Sequence, residues 1–229
     1  MERWISLSEI KAIAIDGPSA SGKSSVSKGV AAALGVIYVD SGALYRGVTW
    51  QALRKGVDTT DAEAVLDSLH NADWNFFVQN GAAIFSVDGD VPVQELREKD
   101  VRENVANVAS IPDVRRFVVE SLQSLANFGS LVMEGRDIGT VVFPDSPYKF
   151  YLDADPEERA MRRYRELVAA GESEKADEVM ESLKKRDKID STRKADPLTV
   201  APGAQKIDST SMTLEEVIQT VVDVVKGEV

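Results

Sequence analysis

"KAIAIDGPSASGKSSVSKGVAAALG", residues 11–35, changes character at Gly17. Residues 11–16 are a short apolar run ending at a glycine, the texture of a buried parallel strand. The stretch from Gly22 to Gly35 reads as a helix closed by its second glycine. Between them, Gly17, Pro18, Ser19, Ala20, Ser21, Gly22, Lys23 and Ser24 satisfy G-x-x-x-x-G-K-[ST], with Ser25 following. Glycines let the backbone curl tightly and approach an anion with no Cβ in the way. Successive amides then point inward as a nest, reinforced by the start of the following helix. Lys23 supplies a mobile positive charge for β- and γ-phosphates, and the Ser24 hydroxyl can ligate Mg²⁺. Strand, loop and helix come in the order this mechanism requires, so the stretch reads as a phosphate-binding loop.

Working outward, "VIYVD" (36–40) reads as a second strand and "SGALYRGVTWQALRKG" as a second helix. "DWNFFVQNGAAIFSVDGD" then places two aromatic and β-branched runs around Asn-Gly, a hairpin signal, so a small antiparallel sheet is predicted at roughly 73–93. "PDVRRFVVESLQSLANFG" is helical, and "SLVMEG" (130–135) and "YKFYLDA" (148–154) return to buried-strand texture. Two charged helices follow, then a last strand in "AQKIDST" and an amphipathic helix in "TLEEVIQTVVDVVKG". Five parallel strands with intervening helices predict an α/β fold of three layers. The ligand crevice belongs at the carboxyl ends of the strands.

The chain has 229 residues, enough for one α/β domain with small attached subdomains. It has no cysteine, which excludes disulfides, a thiol nucleophile and a cysteine zinc cluster. Its one histidine, His70, reads as a surface residue near a helix end. Lysine plus arginine total 27 against 38 acidic residues, a net charge of −11, which argues against broad binding to nucleic acid or an anionic membrane. No apolar run reaches about 18 residues, so no membrane span is expected. "MERWISLSEI" lacks the apolar core of a signal peptide, and a soluble cytoplasmic protein is the expectation.

A phosphate loop alone does not separate a GTPase, a motor and a small-molecule kinase. No Asn-Lys-x-Asp guanine-reading motif occurs. Arg46, Arg115, Arg136, Arg159, Arg162, Arg163, Arg186 and Arg193 stand at loop and helix positions. Phosphoryl transfer between two anions must hold them together against repulsion, and guanidinium forks do that. A kinase whose acceptor is itself a phosphate fits this pattern, although for any single arginine a solvated helix face is the simpler reading.

Several blocks now carry a specific resemblance: "IAIDGPSASGKSS", "YVDSGALYRG", "MEGRDIGTVVFPDSPYKFYLDA", "ERAMRR" and "KRDKIDSTRKADPL", in this order. Together they resemble the bacterial cytidylate kinases, within the nucleoside monophosphate kinase family of P-loop proteins, from about residue 10 onward. The resemblance implies ATP-dependent phosphorylation of CMP and dCMP with Mg²⁺, by a protein expected to be monomeric. It implies a core ATP-binding domain (1–40, 108–155 and 198–229), a monophosphate-binding domain (41–107) carrying the small sheet, and a lid (156–197). Gly17 to Ser25 would hold ATP, with Arg159 and Arg163 beside it. Ser41, Arg46, Arg136 and Arg193 would face the monophosphate or its ribose, and Asp190 the sugar hydroxyls. Arg115 and Asp137 would read the cytosine edge. Lys23, Arg136, Arg186 and Arg193 would carry catalysis. One departure stands out: Ala106 occupies a position where the family can place a serine near the base, so either Ser110 or a main-chain group would substitute, or base selectivity would be looser.

The chemistry agrees with these implied roles. Cytosine offers an exocyclic amine beside an acceptor nitrogen and carbonyl. Asp137 can accept from the amine while Arg115 donates, whereas uracil would present a carbonyl to Asp137. A capping or ion-pairing role for Asp137 is the plainer alternative. The acceptor phosphate is already an anion, so no dedicated general base is required. A monophosphate kinase for UMP or AMP, or a nucleotide-operated switch, stays open on the sequence alone.

Overall fold

The computed structural model describes residues 11–169, 171, 173 and 175–227. The signal-peptide reading of residues 1–10 lies outside the described residues, as do the outermost ends of the predicted core domain. In chain order the elements are β1 (Ala12–Asp16), α1 (Lys23–Leu34), β2 (Ile37–Asp40), α2 (Ser41–Arg54), α3 (Ala62–His70), β3 (Trp74–Gln79) and β4 (Ala82–Val87). They continue with α4 (Lys99–Ala109), α5 (Pro112–Ser124), β5 (Leu131–Gly135), β6 (Tyr148–Asp153), α6 (Pro156–Ala169), α7 (Ala176–Thr192), β7 (Gln205–Asp208) and α8 (Leu214–Lys226).

All five strands read as parallel are parallel, in the order β2-β5-β1-β6-β7. β1 lies between β5 and β6, so the chain leaves it first toward one side of the sheet and later returns on the other. That reversal opens a crevice beyond the carboxyl ends of the strands. Every residue of β1 and β5 is buried, because helices cover both faces. The alternation still decides which core each side chain joins. Ala12, Ala14, Leu131 and Met133 pack with α2 and α5, and Ile13, Ile15 and Val132 pack with α1 and α8. His70 is exposed at the end of α3.

The hairpin turns at Asn80–Gly81, both in the left-handed region, as the Asn-Gly signal requires. Its two strands pair over six residues, from Trp74–Val87 to Gln79–Ala82. It does not stand apart as a separate small sheet. β4 bonds to β2 through the Tyr38–Ala82 pair, giving one seven-stranded sheet with an antiparallel edge. The physical reason is that β2 would otherwise be an unpaired edge, and the hairpin covers it. α6 and α7 form a hairpin with a small core of their own, Ala160, Leu167, Val179 and Leu183.

Gly47 on α2 lets the Phe85 ring of β4 come close: a Cβ there would lie 2.5 Å from Phe85 Cζ. This contact fixes the hairpin onto the main sheet. Gly47→Ala is therefore expected to destabilise the fold by about 1–3 kcal/mol through overpacking. Urea denaturation measures this, and an unchanged midpoint would contradict the docking.

Candidate active site

The phosphate loop leaves β1 at Asp16 and turns back over its own end. Gly17 has φ +155°, and a Cβ on it would lie 2.0 Å from the Leu152 carbonyl oxygen, so only glycine fits against β6. Ala20 (φ 59°) and Gly22 (φ 93°) are also left-handed, which curls the loop before α1 begins at Lys23. Lys23 is buried, and its Nζ donates to Pro18 O at 2.6 Å and Ser21 Oγ at 3.4 Å. Burial first, and then the charge of Arg136, lowers its pKa to about 7, against the pull of Glu134, Asp16 and Asp190. Ser24 and Ser25 are exposed at the start of α1.

Side chains from α6, α7 and the segment after β5 converge on Ser19. Its amide donates to Asp187 Oδ1 at 3.3 Å, and its carbonyl accepts from Arg159 Nη1 at 3.1 Å. Its hydroxyl oxygen lies 2.9 Å from Arg136 Nη2, which donates to it. Arg159 also donates to Asp187 Oδ2 at 2.6 Å, and Arg136 Nε to Asp190 Oδ2 at 2.8 Å. Asp187 and Asp190 are one turn apart on α7, so a single helix face meets both arginines. Arg186 opens to water beside them yet is ringed by protein. That enclosure, then the charges of Arg136, Arg46 and Arg163, holds its pKa down. Arg163 pairs with Glu166 at 3.1 Å. Arg162 turns away and holds Ser209 through its hydroxyl and carbonyl.

On the other side of the crevice, Asp40 ends β2 and does two jobs. It caps α2 through the Ala43 amide at 3.1 Å and holds Arg46 at 2.7 Å. The Ser41 hydroxyl donates to Glu134 O at 2.6 Å. Deeper in, Arg115 and Asp137, 2% and 5% exposed, form an ion pair. Arg115 Nε also meets Asp196 Oδ2 at 2.6 Å, and Arg193 Nη2 reaches Asp137 at 3.4 Å. Burial raises the Asp137 pKa against the pull of these two guanidiniums. Ser110 is exposed and spends its hydroxyl on Asn107 O; the group facing Arg115 from this helix end is the Ala109 carbonyl, at 3.3 Å from Nη1.

Of the sequence-predicted site residues, Ser19 thus meets Arg136 and Arg159, Arg136 meets Asp190, and Asp137 meets Arg115 and Arg193, while Arg46 is paired with Asp40 and Arg163 with Glu166 on its own helix. Five further residues were not anticipated. Asp16 terminates β1 and Glu134 is the last residue but one of β5; Tyr38 donates its hydroxyl to Glu134 Oε1 at 2.6 Å and also contacts Ser24. Asp187 and Asp196 tie the arginines in place. A carboxylate near the end of an apolar strand, as in "SLVMEG", was the available signal for Glu134. Asp16 was hidden by lying one residue before the loop motif.

A glycine-rich nest at a helix start, facing a pocket of guanidiniums across the carboxyl ends of a parallel sheet, defines a P-loop phosphotransferase. Comparison with known proteins gives the family. The cytidylate kinase family model matches residues 13–227. A cytidylate kinase of Caldanaerobacter subterraneus subsp. tengcongensis is 42% identical over 221 residues, covering 95% of this chain and 97% of that one. One from Clostridioides difficile is 43% identical, covering 92% and 95%. One from Mycobacterium leprae is 42% identical, covering 93% and 95%. The chain belongs to the cytidylate kinase family.

The depressed Lys23 pKa has a thermodynamic consequence. At pH 8.5 the amine is largely neutral in the free protein, and a polyphosphate against it restores the charge. Binding a nucleoside triphosphate at that pH is therefore expected to take up about one proton. Calorimetry in two buffers of different ionisation enthalpy reads this directly, and Lys23→Met should abolish the uptake. Equal heats in both buffers for the wild type would contradict the assignment.

Proposed function

We propose that this protein transfers the γ-phosphoryl group of ATP to CMP and dCMP, giving CDP and dCDP. Family membership supports the reaction class. The observation that carries the base assignment is the buried Arg115–Asp137 pair, which presents a donor and an acceptor side by side within the crevice. Cytosine is its complement: Asp137 accepts from the exocyclic amine while Arg115 donates to the ring nitrogen or carbonyl. Each such pair discriminates against uracil by about 1–3 kcal/mol.

In this reading Gly17 to Ser25 cradle the ATP phosphates, and Arg159 and Arg163 flank them. Ser41, Arg46, Arg136 and Arg193 hold the monophosphate and its ribose, and Asp190 takes the sugar hydroxyls. Lys23, Arg136, Arg186 and Arg193 neutralise the charge that spreads over the transferring group. Residues 156–197 form a lid, for which the separate small core between α6 and α7 is the supporting observation. The remaining segments divide into a core domain (1–40, 108–155, 198–229) and a monophosphate-binding part (41–107).

The donor set also fits Mg²⁺. Ser24 and Glu134 both reach the Tyr38 hydroxyl, and both offer the oxygen ligands a hard cation takes. Among the described residues no three acidic or histidine side chains form a metal cage. Ser24, Glu134 and the nucleotide phosphates would hold the ion, which supplies charge neutralisation at the β- and γ-phosphates. The reading takes the protein as a cytoplasmic monomer acting on small nucleotides rather than nucleic acid or membrane. The net charge of −11 argues against broad binding to nucleic acid or an anionic membrane, and among the described residues no helix is long and apolar enough to cross a membrane.

A coupled assay over CMP, dCMP, UMP, AMP and GMP tests the substrate, with CMP and dCMP expected fastest. Faster turnover of UMP or AMP would overturn it. Asp137→Ala is expected to raise the KM for CMP by on the order of 100-fold, the loss of a buried charge-assisted contact, while the KM for ATP stays within about twofold. Lys23→Ala is expected to lower kcat by about 10²–10³ in a folded protein, the scale of losing one transition-state charge contact.

A further inference from the structure

Asp16 is the last residue of β1, opposite Gly135 on β5 and Tyr151 on β6. It is only 2% exposed. Its Oδ1 accepts from the Ile138 amide at 2.9 Å and its Oδ2 from the Gly139 amide at 2.7 Å. Those amides open the π-turn (Ile138–Val142) that follows Asp137. An aspartate placed just ahead of a helical turn is ordinarily drawn to such amides as a cap. Asp137 makes no such cap here. Its carboxylate is turned instead to Arg115 and Arg193.

We infer that Asp16 is a positioning residue for base selection: by taking both amides of the turn, it leaves the Asp137 carboxylate free to face the guanidiniums and the nucleobase. The inference rests on the proposed base-reading role of Asp137. Two features make Asp16 suited to it. It is anchored on a central strand, so the turn is registered against the most rigid part of the sheet. It also immediately precedes Gly17, so one residue joins the triphosphate loop to the base-reading turn. Burial pushes its carboxyl up to about 6, so at a neutral assay pH it is the ionised acceptor these amides require.

Steady-state kinetics of Asp16→Asn, Gly139→Ala and Asp137→Ala with CMP, UMP and ATP at pH 7.5 test this. An asparagine can accept from only one of the two amides and presents a donor to the other. Asp16→Asn is expected to lower kcat/KM for CMP on the order of ten-fold, mainly through KM, and to shrink the CMP-to-UMP preference by a similar factor. The KM for ATP should stay within about twofold. Gly139→Ala keeps the aspartate but places a Cβ 3.3 Å from its Oδ2, and should move the preference the same way by a smaller factor. It also decides the matter if Asp16→Asn does not fold. If both variants keep the wild-type CMP-to-UMP ratio while Asp137→Ala collapses it, Asp16 is only structural and the inference is overturned. It is likewise overturned if Asp16→Asn weakens CMP and ATP equally with the ratio unchanged. If Asp137→Ala itself keeps the ratio, the base-reading assignment fails and this inference fails with it.

Discussion

Buried charge at the carboxyl ends of β1 and β5 is the constraint on which the rest of the structure depends. Asp16, Lys23, Arg115, Glu134, Asp137 and Arg159 are all less than a tenth exposed. Removing such groups from water costs several kcal/mol each unless every one finds a partner. The partners come from distant parts of the chain: Arg115 of α5 meets Asp137 beyond β5 and Asp196 beyond α7, and Arg159 of α6 meets Asp187 of α7. Satisfying them draws five separate segments to one point. A crevice lined by charges that are already desolvated and oriented is also what holding two phosphates end to end requires.

The same constraint accounts for the asymmetry of the crevice. On one side the phosphate loop is held by its own backbone geometry, with Gly17 pressed against the Leu152 carbonyl and Lys23 folded over the loop. On the other, the guanidiniums are held by carboxylates: Arg46 by Asp40, Arg136 by Asp190, Arg115 by Asp137. A guanidinium restrained by a carboxylate can exchange that partner for a phosphate, since both present the same paired oxygens. Asp187 and Asp190 both come from α7, so the contacts that orient Arg159 and Arg136 also join that helix to the phosphate loop.

Much of this was legible along the chain. Residues 11–35 already announced strand, nest and helix, because that motif is local and each residue in it has a backbone reason. The hairpin was legible from Asn80–Gly81, but not its attachment to β2. A single bridge between Tyr38 and Ala82 depends on what the rest of the sheet leaves uncovered, which no local pattern encodes. The arginines were legible as a set; their partners were not. Asp187 and Asp196 look like ordinary solvated residues of a charged segment until the tertiary contacts place them against Arg159 and Arg115.

What the chain determined by itself is therefore the order of strands and helices, the phosphate nest and the family. These rest on short-range rules: apolar periodicity, glycine where the backbone must be left-handed, and blocks of residues in a recognisable succession. Tertiary structure alone decided that the hairpin extends the main sheet, that Tyr38 meets both Glu134 and Ser24, and that Asp16 rather than Asp137 holds the turn after β5. Asp16 and Gly139 are 123 positions apart, and only the parallel pairing of β1 with β5 brings such a carboxylate to such an amide.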